Sequence, residues 1–364
     1  MVTSVTSRIA ARPPLRASGS PVSPDRVELS NGEEPLKIWL LHGSYTGGHA
    51  SAARSLKEAL AENHPGVQVE VINHAELSSN PMPVSLAAEK SLEGGWLGNR
   101  VRQFFIERSF EGDPVTYWLT NQGMKIESLF ASRLKERIQD ERPDLLVATM
   151  SPTASLLSHW KGEGEVPQPV HTVVTDFVAH SIWNQENVER YYVAAEGTRE
   201  DLARLGADPS RVEVTGIPIR PDFSGPARDR AEVKELLGLD PTRPMVLLLG
   251  GSLGLGNFGQ TVAALDRLPQ DFQVVAICGR NEATRAELEA GTYRHPVVVR
   301  GFVDNMPDWL EASDLVVSKP GGLTTSEVLA RGRPLLVLDP LPGMEQRNVD
   351  RLSGQGAIRV CDGS

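Results

Sequence analysis

Cysteine is almost missing from this chain: Cys278 and Cys361 are the two in 364 residues. That is too few for a disulfide framework or a cysteine-built zinc site, and a reducing compartment is the expected setting. No apolar run approaches the ~18 to 20 residues of a membrane-spanning helix, so any membrane contact is expected to be peripheral. The longest runs are Met245–Leu249 and Gln273–Cys278. Basic excess is lacking too: 37 Lys and Arg face 47 Asp and Glu, a formal charge of −10, which argues against a dedicated nucleic-acid binder. There is no solenoid-type repeat, no Asp-x-Asp pair and no metal-spaced cluster of His, Cys and Asp, so no metal is expected. Residues 1–24 contain no acid and carry Arg8, Arg12 and Arg16 among Ser and Thr, the outline of a transit peptide. Pro13, Pro14, Pro21 and Pro24 would interrupt the amphipathic helix such a peptide needs, and a disordered extension over 1–35 is the expectation.

What is present is an ordinary globular composition, 40% hydrophobic and 23% charged, with length for two cores. Leu36–Leu41 is a short apolar run of the buried parallel-strand kind, followed by a glycine turn and a helical stretch, Ala50–Asn63. Val67–Ile72, Asp144–Met150, Pro169–Val174 and Arg190–Val193 continue as strands, with helices near Gly123–Asp140 and Thr198–Leu205. A Pro-rich, charged stretch with one short helix near Ala231–Leu237 then interrupts the pattern. A second alternating set follows, with strands at Met245–Leu249, Phe272–Cys278, Pro296–Arg300, Asp314–Ser318 and Pro334–Leu338. Alternation of this kind predicts an α/β protein: a Rossmann-like domain over 36–220, a linker over 221–243 and a second Rossmann-like domain over 244–364, with binding loops at the carboxyl ends of the strands.

Three loops of the second domain fall at strand ends. Gly250, Gly251 and Ser252 follow the first strand; glycines let backbone approach a phosphate, though a tight turn without ligand is the alternative. Gly254-Leu255-Gly256-Asn257-Phe258-Gly259 matches the dinucleotide fingerprint, but the next strand ends Ile277-Cys278-Gly279-Arg280, without the acid that would hold a ribose. In the loop from Ser318 to Glu327, Gly321 and Gly322 turn the chain and Thr324, Thr325 and Ser326 open a helix whose N-terminus suits phosphate oxygens. Glu327 could serve two ribose hydroxyls, or form a capping box with Thr324 as the cap. Beyond the following strand, Glu345, Gln346 and Asn348 present groups suited to sugar hydroxyls, the alternative being a solvated helix start.

In the first domain, Gly47-Gly48-His49 stands at the first strand-to-helix turn, where the helix N-terminus keeps an imidazole neutral and able to take a proton. His49 is the candidate general base for a hydroxyl acceptor. Asp176 and His180 begin at another strand end; Asp176 could orient a histidine or the acceptor, or simply cap the next element.

Taken together, Gly47-Gly48-His49, the run Val174-Thr175-Asp176-Phe177 to His180 and Trp183, Thr215-Gly216-Ile217-Pro218, Gly250-Gly251-Ser252, Lys319 to Glu327 and Pro342 to Asn348 resemble one family. It is the group of monogalactosyldiacylglycerol synthases and processive diacylglycerol glucosyltransferases, of the GT-B superfamily, and the likeness runs from Leu36 to Ala357. The resemblance implies two facing Rossmann-like domains and an inverting transfer of glucose or galactose from a UDP-sugar to diacylglycerol, with His49 and Asp176 catalytic and no metal. It also implies a donor site of Gly250, Gly251, Ser252, Phe302, Val303, Gly321, Gly322, Leu323, Thr324, Thr325, Glu327, Glu345 and Gln346, and acceptor contacts from Gly47, Gly48, His180 and Trp183. Relatives continue past the point where this chain stops, so its second domain reads as short at the C-terminus. A cytoplasmic enzyme at the inner face of the membrane is the corresponding location. Transfer to a lipid-linked cell-wall intermediate, or non-catalytic UDP-sugar or lipid binding, are the alternative readings.

A lipid acceptor calls for an apolar, partly basic surface. Trp96-Leu97, Val101, Phe104-Phe105-Ile106, Phe110, Tyr117-Trp118-Leu119 and Phe130, with Arg100, Arg102 and Arg108, would supply one; the alternative is that these aromatics are core.

Overall fold

The computed structural model describes residues 35–43, 47–77, 107–113, 118, 128, 131–251, 254, 256–338, 340 and 343–361. The extension before residue 35, Ser252 and most of the proposed aromatic anchor lie outside the described residues; of the anchor, Phe110 is buried and Trp118 exposed. The chain divides into two compact units, the first ending at Pro221 and the second starting at Asp222.

The first unit holds a six-stranded parallel sheet in the order β2-β1-β3-β4-β5-β6. Its strands are β1 (Lys37–His42), β2 (Gln68–Asn73), β3 (Leu145–Ala148), β4 (Val170–Val173), β5 (Arg190–Val193) and β6 (Val212–Val214). The helices that concern the site are α1 (Gly47–Asn63), α2 (His74–Leu77), α3 (Ser132–Glu141), α4 (Ser151–Gly162) and α5 (Glu196–Arg204). Side chains alternate across the pleat, which explains why the strand sequences are apolar throughout rather than every second residue. Trp39, Leu41, Leu146 and Ala148 enter the core on one face, while Ile38, Leu40, Leu145 and Val147 enter the core on the other.

The second unit has a six-stranded sheet in the order β12-β11-β10-β7-β8-β9, also parallel. These strands are β7 (Met245–Leu249), β8 (Gln273–Ile277), β9 (Val297–Arg300), β10 (Leu315–Ser318), β11 (Leu335–Val337) and β12 (Arg359–Val360). Around them lie α6 (Arg230–Leu236), α7 (Phe258–Asp266), α8 (Glu282–Glu289), α9 (Met306–Ala312), α10 (Gly322–Ala330) and α11 (Met344–Gly354). Residues after Pro221, read from sequence as a crossing, are bonded into this unit. Asp229 caps α6 through the Ala231 and Glu232 N–H groups, and Lys234 Nζ lies 2.9 Å from Asp314 Oδ2.

Strand order reverses direction once in each sheet, between β1 and β3 in the first and between β7 and β10 in the second. Loops leaving the two strands at such a point diverge to opposite faces and open a crevice at the carboxyl ends. Register carries the consequence to named residues. Leu41 pairs with Ala148, so His42 and Thr149 emerge side by side; Leu249 pairs with Ser318, so Gly250 and Lys319 do the same.

Candidate active site

In the first unit the histidine sits inside helix α1, not in a loop before it: Gly47 and Gly48 are the helix's first two residues and His49 the third. Its Nδ1 lies 2.9 Å from the Thr149 carbonyl oxygen and 2.8 Å from Thr175 Oγ1. A carbonyl offers only lone pairs, so that nitrogen carries the proton and donates it, and Nε2 of the neutral ring is the basic atom. Among the described residues nothing bonds Nε2. Burial holds the His49 pKa below the ordinary 6.5, and the Thr149 hydrogen bond offsets part of that effect. The ring is therefore neutral at pH 7, which a general base requires.

Thr149 and Thr175 are the residues that sequence reasoning left without a role. Thr149 extends β3 and its hydroxyl donates to the His49 carbonyl at 3.0 Å; Thr175 follows β4 by two residues. The signal available in the sequence was a threonine just past the end of each strand. Asp176 is half-buried beside Thr175, and the hydrogen bonds of His49 go to the two threonines and not to this carboxylate.

The two other expected acceptor residues are in a different situation. Trp183 is 1% exposed and belongs to the hydrophobic core. His180 is buried as well, edge-on to Phe110 with ring centroids 5.7 Å apart, and burial lowers its pKa to about 4. Gly48 is exposed and Gly47 half-buried at the start of α1.

In the second unit a cleft opens at the β7/β10 reversal, lined by Leu249, Asn257, Phe258, Ser318, Lys319 and Leu338. The β7 turn is built from close backbone contacts. A Cβ on Gly250 would lie 2.8 Å from Gly254 Cα, and Gly254 adopts φ 60°, the left-handed region that only glycine enters without strain. Asn281, just beyond β8, closes the arrangement: its Nδ2 donates to the Gly254 carbonyl at 3.1 Å while its Oδ1 accepts from the Thr284 N–H and caps α8. Asn281 is a third site residue that sequence reading passed over.

Helix α10 begins at Gly322 with Gly321, which has no side chain to cap it, as its N-cap. The capping box proposed for Thr324 and Glu327 is therefore not formed: Thr324 already lies in the first turn. The first N–H groups of a helix have no partner within it, and α10 starts four residues past the end of β10, one of the two strands at the reversal, where such groups suit an anion. Thr324 and Glu327 are half-buried, whereas Thr325 is fully buried and its hydroxyl has no partner among the described residues. Gly322 and Leu323 are likewise buried, and Gly321 is half-buried with open space where a Cβ would stand.

Glu345 and Gln346 lie in the first turn of α11, which starts directly after Gly343 and its φ of 100°. Gln346 is exposed and Glu345 half-buried, while Asn348 is buried and donates to the Pro320 carbonyl at 3.4 Å, tying α11 to the β10 turn rather than to a sugar. Phe302, past the end of β9, is 58% exposed, and the Arg280 guanidinium lies 5.7 Å from its ring centroid; Val303 beside it is half-buried.

Residues 49–219 match the family described as monogalactosyldiacylglycerol (MGDG) synthase, and residues 245–361 match the glycosyltransferase family 28 C-terminal domain. A processive diacylglycerol beta-glucosyltransferase of Staphylococcus epidermidis is 30% identical over 334 residues, covering 90% of this chain and 81% of the relative. The protein of that name from Bacillus subtilis is 28% identical over 332 residues, covering 90% and 83%. Among solved structures, MurG of Acinetobacter baumannii superposes with a TM-score of 0.53 at 16% identity, over 90% of this chain and 86% of that one. The glycotransferase of kitacinnamycin gives 0.54 at 15% identity, over 91% and 87%. The structural likeness fixes the fold as the GT-B type, in agreement with the two sheet orders. The sequence likeness goes further: this chain belongs to the family of the monogalactosyldiacylglycerol synthases and processive diacylglycerol glucosyltransferases, and it is a glycosyltransferase.

Proposed function

We propose that this glycosyltransferase moves a hexose, glucose in the first instance, from a UDP-sugar to the hydroxyl of diacylglycerol with inversion at the anomeric carbon. The observation that carries the reading is the His49 imidazole, held by its Nδ1 proton to Thr149 with Nε2 left to act as base. The name of the relatives supports a β-glucosyl product. A β-product from an α-linked nucleotide sugar is an inversion, which one displacement achieves.

In that displacement Nε2 of His49 takes the acceptor proton as the acceptor oxygen forms its bond to the anomeric carbon. The bond from that carbon to the phosphate oxygen breaks, and its electron pair leaves with UDP. In the second unit the start of α10, the β7 turn and Lys319 receive the diphosphate, whose growing charge the N–H groups and the ammonium stabilise without a metal. Glu327 holds the ribose, Phe302 and Val303 border the base, and Glu345 with Gln346 reach the hexose. Asp176 orients the acceptor. Among the described residues no helix is long and apolar enough to cross a membrane, so a lipid acceptor is met at the bilayer surface, on the inner face in this reading.

The test is incubation of the purified chain with radiolabelled UDP-glucose or UDP-galactose and vesicles containing diacylglycerol. The expected result is a labelled glycolipid whose anomeric proton coupling is that of the β-configuration. Calorimetric binding of the UDP-sugar with no transfer to diacylglycerol would remove the proposal.

A further inference from the structure

We infer that Thr175 is a positioning residue for the reaction: together with the Thr149 carbonyl, its hydroxyl fixes which nitrogen of His49 carries the proton and so aims the bare Nε2 at the acceptor. The inference deepens the function proposed above and rests on it for its kinetic consequences, but not for its spectroscopic one.

Three contacts close a small ring of hydrogen bonds. His49 Nδ1 is 2.9 Å from the Thr149 carbonyl oxygen and 2.8 Å from Thr175 Oγ1, and Thr175 Oγ1 is itself 3.4 Å from that carbonyl oxygen. The only assignment that leaves no two lone pairs facing each other puts a proton on Nδ1 and sends the Thr175 hydroxyl proton to the Thr149 carbonyl. The alternative tautomer would set a bare Nδ1 against the carbonyl oxygen at 2.9 Å. The partners come from three separate segments, the start of α1, the residue after β3 and the second residue after β4. The sheet backbone therefore sets the ring's orientation, and Thr175 is buried, so water does not substitute for its hydroxyl.

Both acceptors are uncharged. A carboxylate in the place of Thr175 would stabilise the imidazolium and make a stronger base that is protonated more often at neutral pH. Here the histidine is kept neutral by burial and still receives two dipoles when it takes the acceptor proton. Thr175 thus acts through His49 and touches no reacting atom.

The experiment uses the full chain with ¹⁵N-labelled histidine and the variants Thr175→Val, Thr175→Ser and His49→Ala, the last assigning the His49 resonances by their loss. The expected spectrum shows the Nδ1–H tautomer for neutral His49, and titration of Thr175→Val shows its pKa moved down, with Thr175→Ser returning it toward the parent value. In turnover, Thr175→Val is expected to lower kcat about 10- to 100-fold. KM for the UDP-sugar stays unchanged, and the acid limb of the rate profile follows the spectroscopic shift. In the His49→Ala background, adding Thr175→Val should cost nothing more. An Nε2–H tautomer in the parent chain, or an unmoved His49 titration in a folded Thr175→Val variant, overturns the inference. So does a full further loss in the His49→Ala background. Failure of the enzyme reading would show instead as no transfer by the parent chain, with the tautomer and titration results intact.

Discussion

His49 and Thr149 grip each other twice across a separation of 100 residues: the imidazole Nδ1 meets the Thr149 carbonyl at 2.9 Å, and the Thr149 hydroxyl donates to the His49 carbonyl at 3.0 Å. The pair spans the reversal between β1 and β3, so the candidate base is anchored where the sheet opens its crevice.

Loss of that base gives the first prediction. His49→Ala should lower kcat by about 10²- to 10⁴-fold, the range for a removed general base. UDP affinity, measured by calorimetry, should stay at the parent value, because the donor groups belong to the second unit. Near-parental turnover would remove the base assignment.

The pH dependence of turnover follows from the same group. Because burial depresses the His49 pKa below 6.5, the base is neutral and competent through the neutral range, and kcat/KM is expected to fall only as pH drops through that lowered value. A rate profile with its acid limb at or above 6.5 contradicts this.

Folding stability should depend on pH through three buried histidines, His74, His171 and His180, each with a folded pKa of about 4 against 6.5 unperturbed. In all three, burial is the main cause. Between these values the unfolded chain binds protons that the folded chain refuses, so stability rises with pH across that window and is lost as pH falls from 6.5 toward 4. Urea midpoints at a series of pH values measure it; a flat response from neutrality down to the lower value would refute the burial account.

The β7 turn offers a test of the donor side. Gly254→Ala would place a methyl in collision with the Cys278 carbonyl oxygen and 2.7 Å from Asn281 Cβ, at a φ of 60°. It should abolish UDP binding and lower the melting temperature. Asn281→Ala removes one cap and one turn contact, and should cost about 1 kcal/mol of stability with a smaller loss of UDP affinity.

Deeper in the second unit, Glu311 is bracketed by Arg331 at 3.1 Å and Arg333 at 3.4 Å, with side-chain exposures of 2%, 8% and 9%. Arg331 continues to the Asp222 and Gly225 carbonyls, binding the start of this unit to its body. Glu311→Ala leaves two guanidinium groups facing each other without their counter-ion and should destabilise the fold by about 3–5 kcal/mol, read by denaturant titration.

Much of this was legible in the sequence because strand identity is a local property. Met245–Leu249 and Arg190–Val193 are found where their apolar runs put them. The edge strands Val212–Val214 and Arg359–Val360 escaped because they are three and two residues long, and only pairing with a neighbour makes them strands. Helix α1 was placed three residues late because Gly47 and Gly48 read as a turn, although a paired strand and a packed helix absorb their entropy cost.

The sequence by itself determined the alternation of strand and helix, the glycine turn that follows the first strand of the second unit, and the presence of a histidine shortly after the first strand of the first unit, since each depends on residues adjacent in the chain. Only the tertiary structure decided which partners that histidine has, that Trp183 and Thr325 are buried, and that Asn281 closes the β7 turn. Those facts join residues 27 to 126 positions apart, and a hydrogen bond's geometry is set by strand order and register, which no local pattern of side chains encodes.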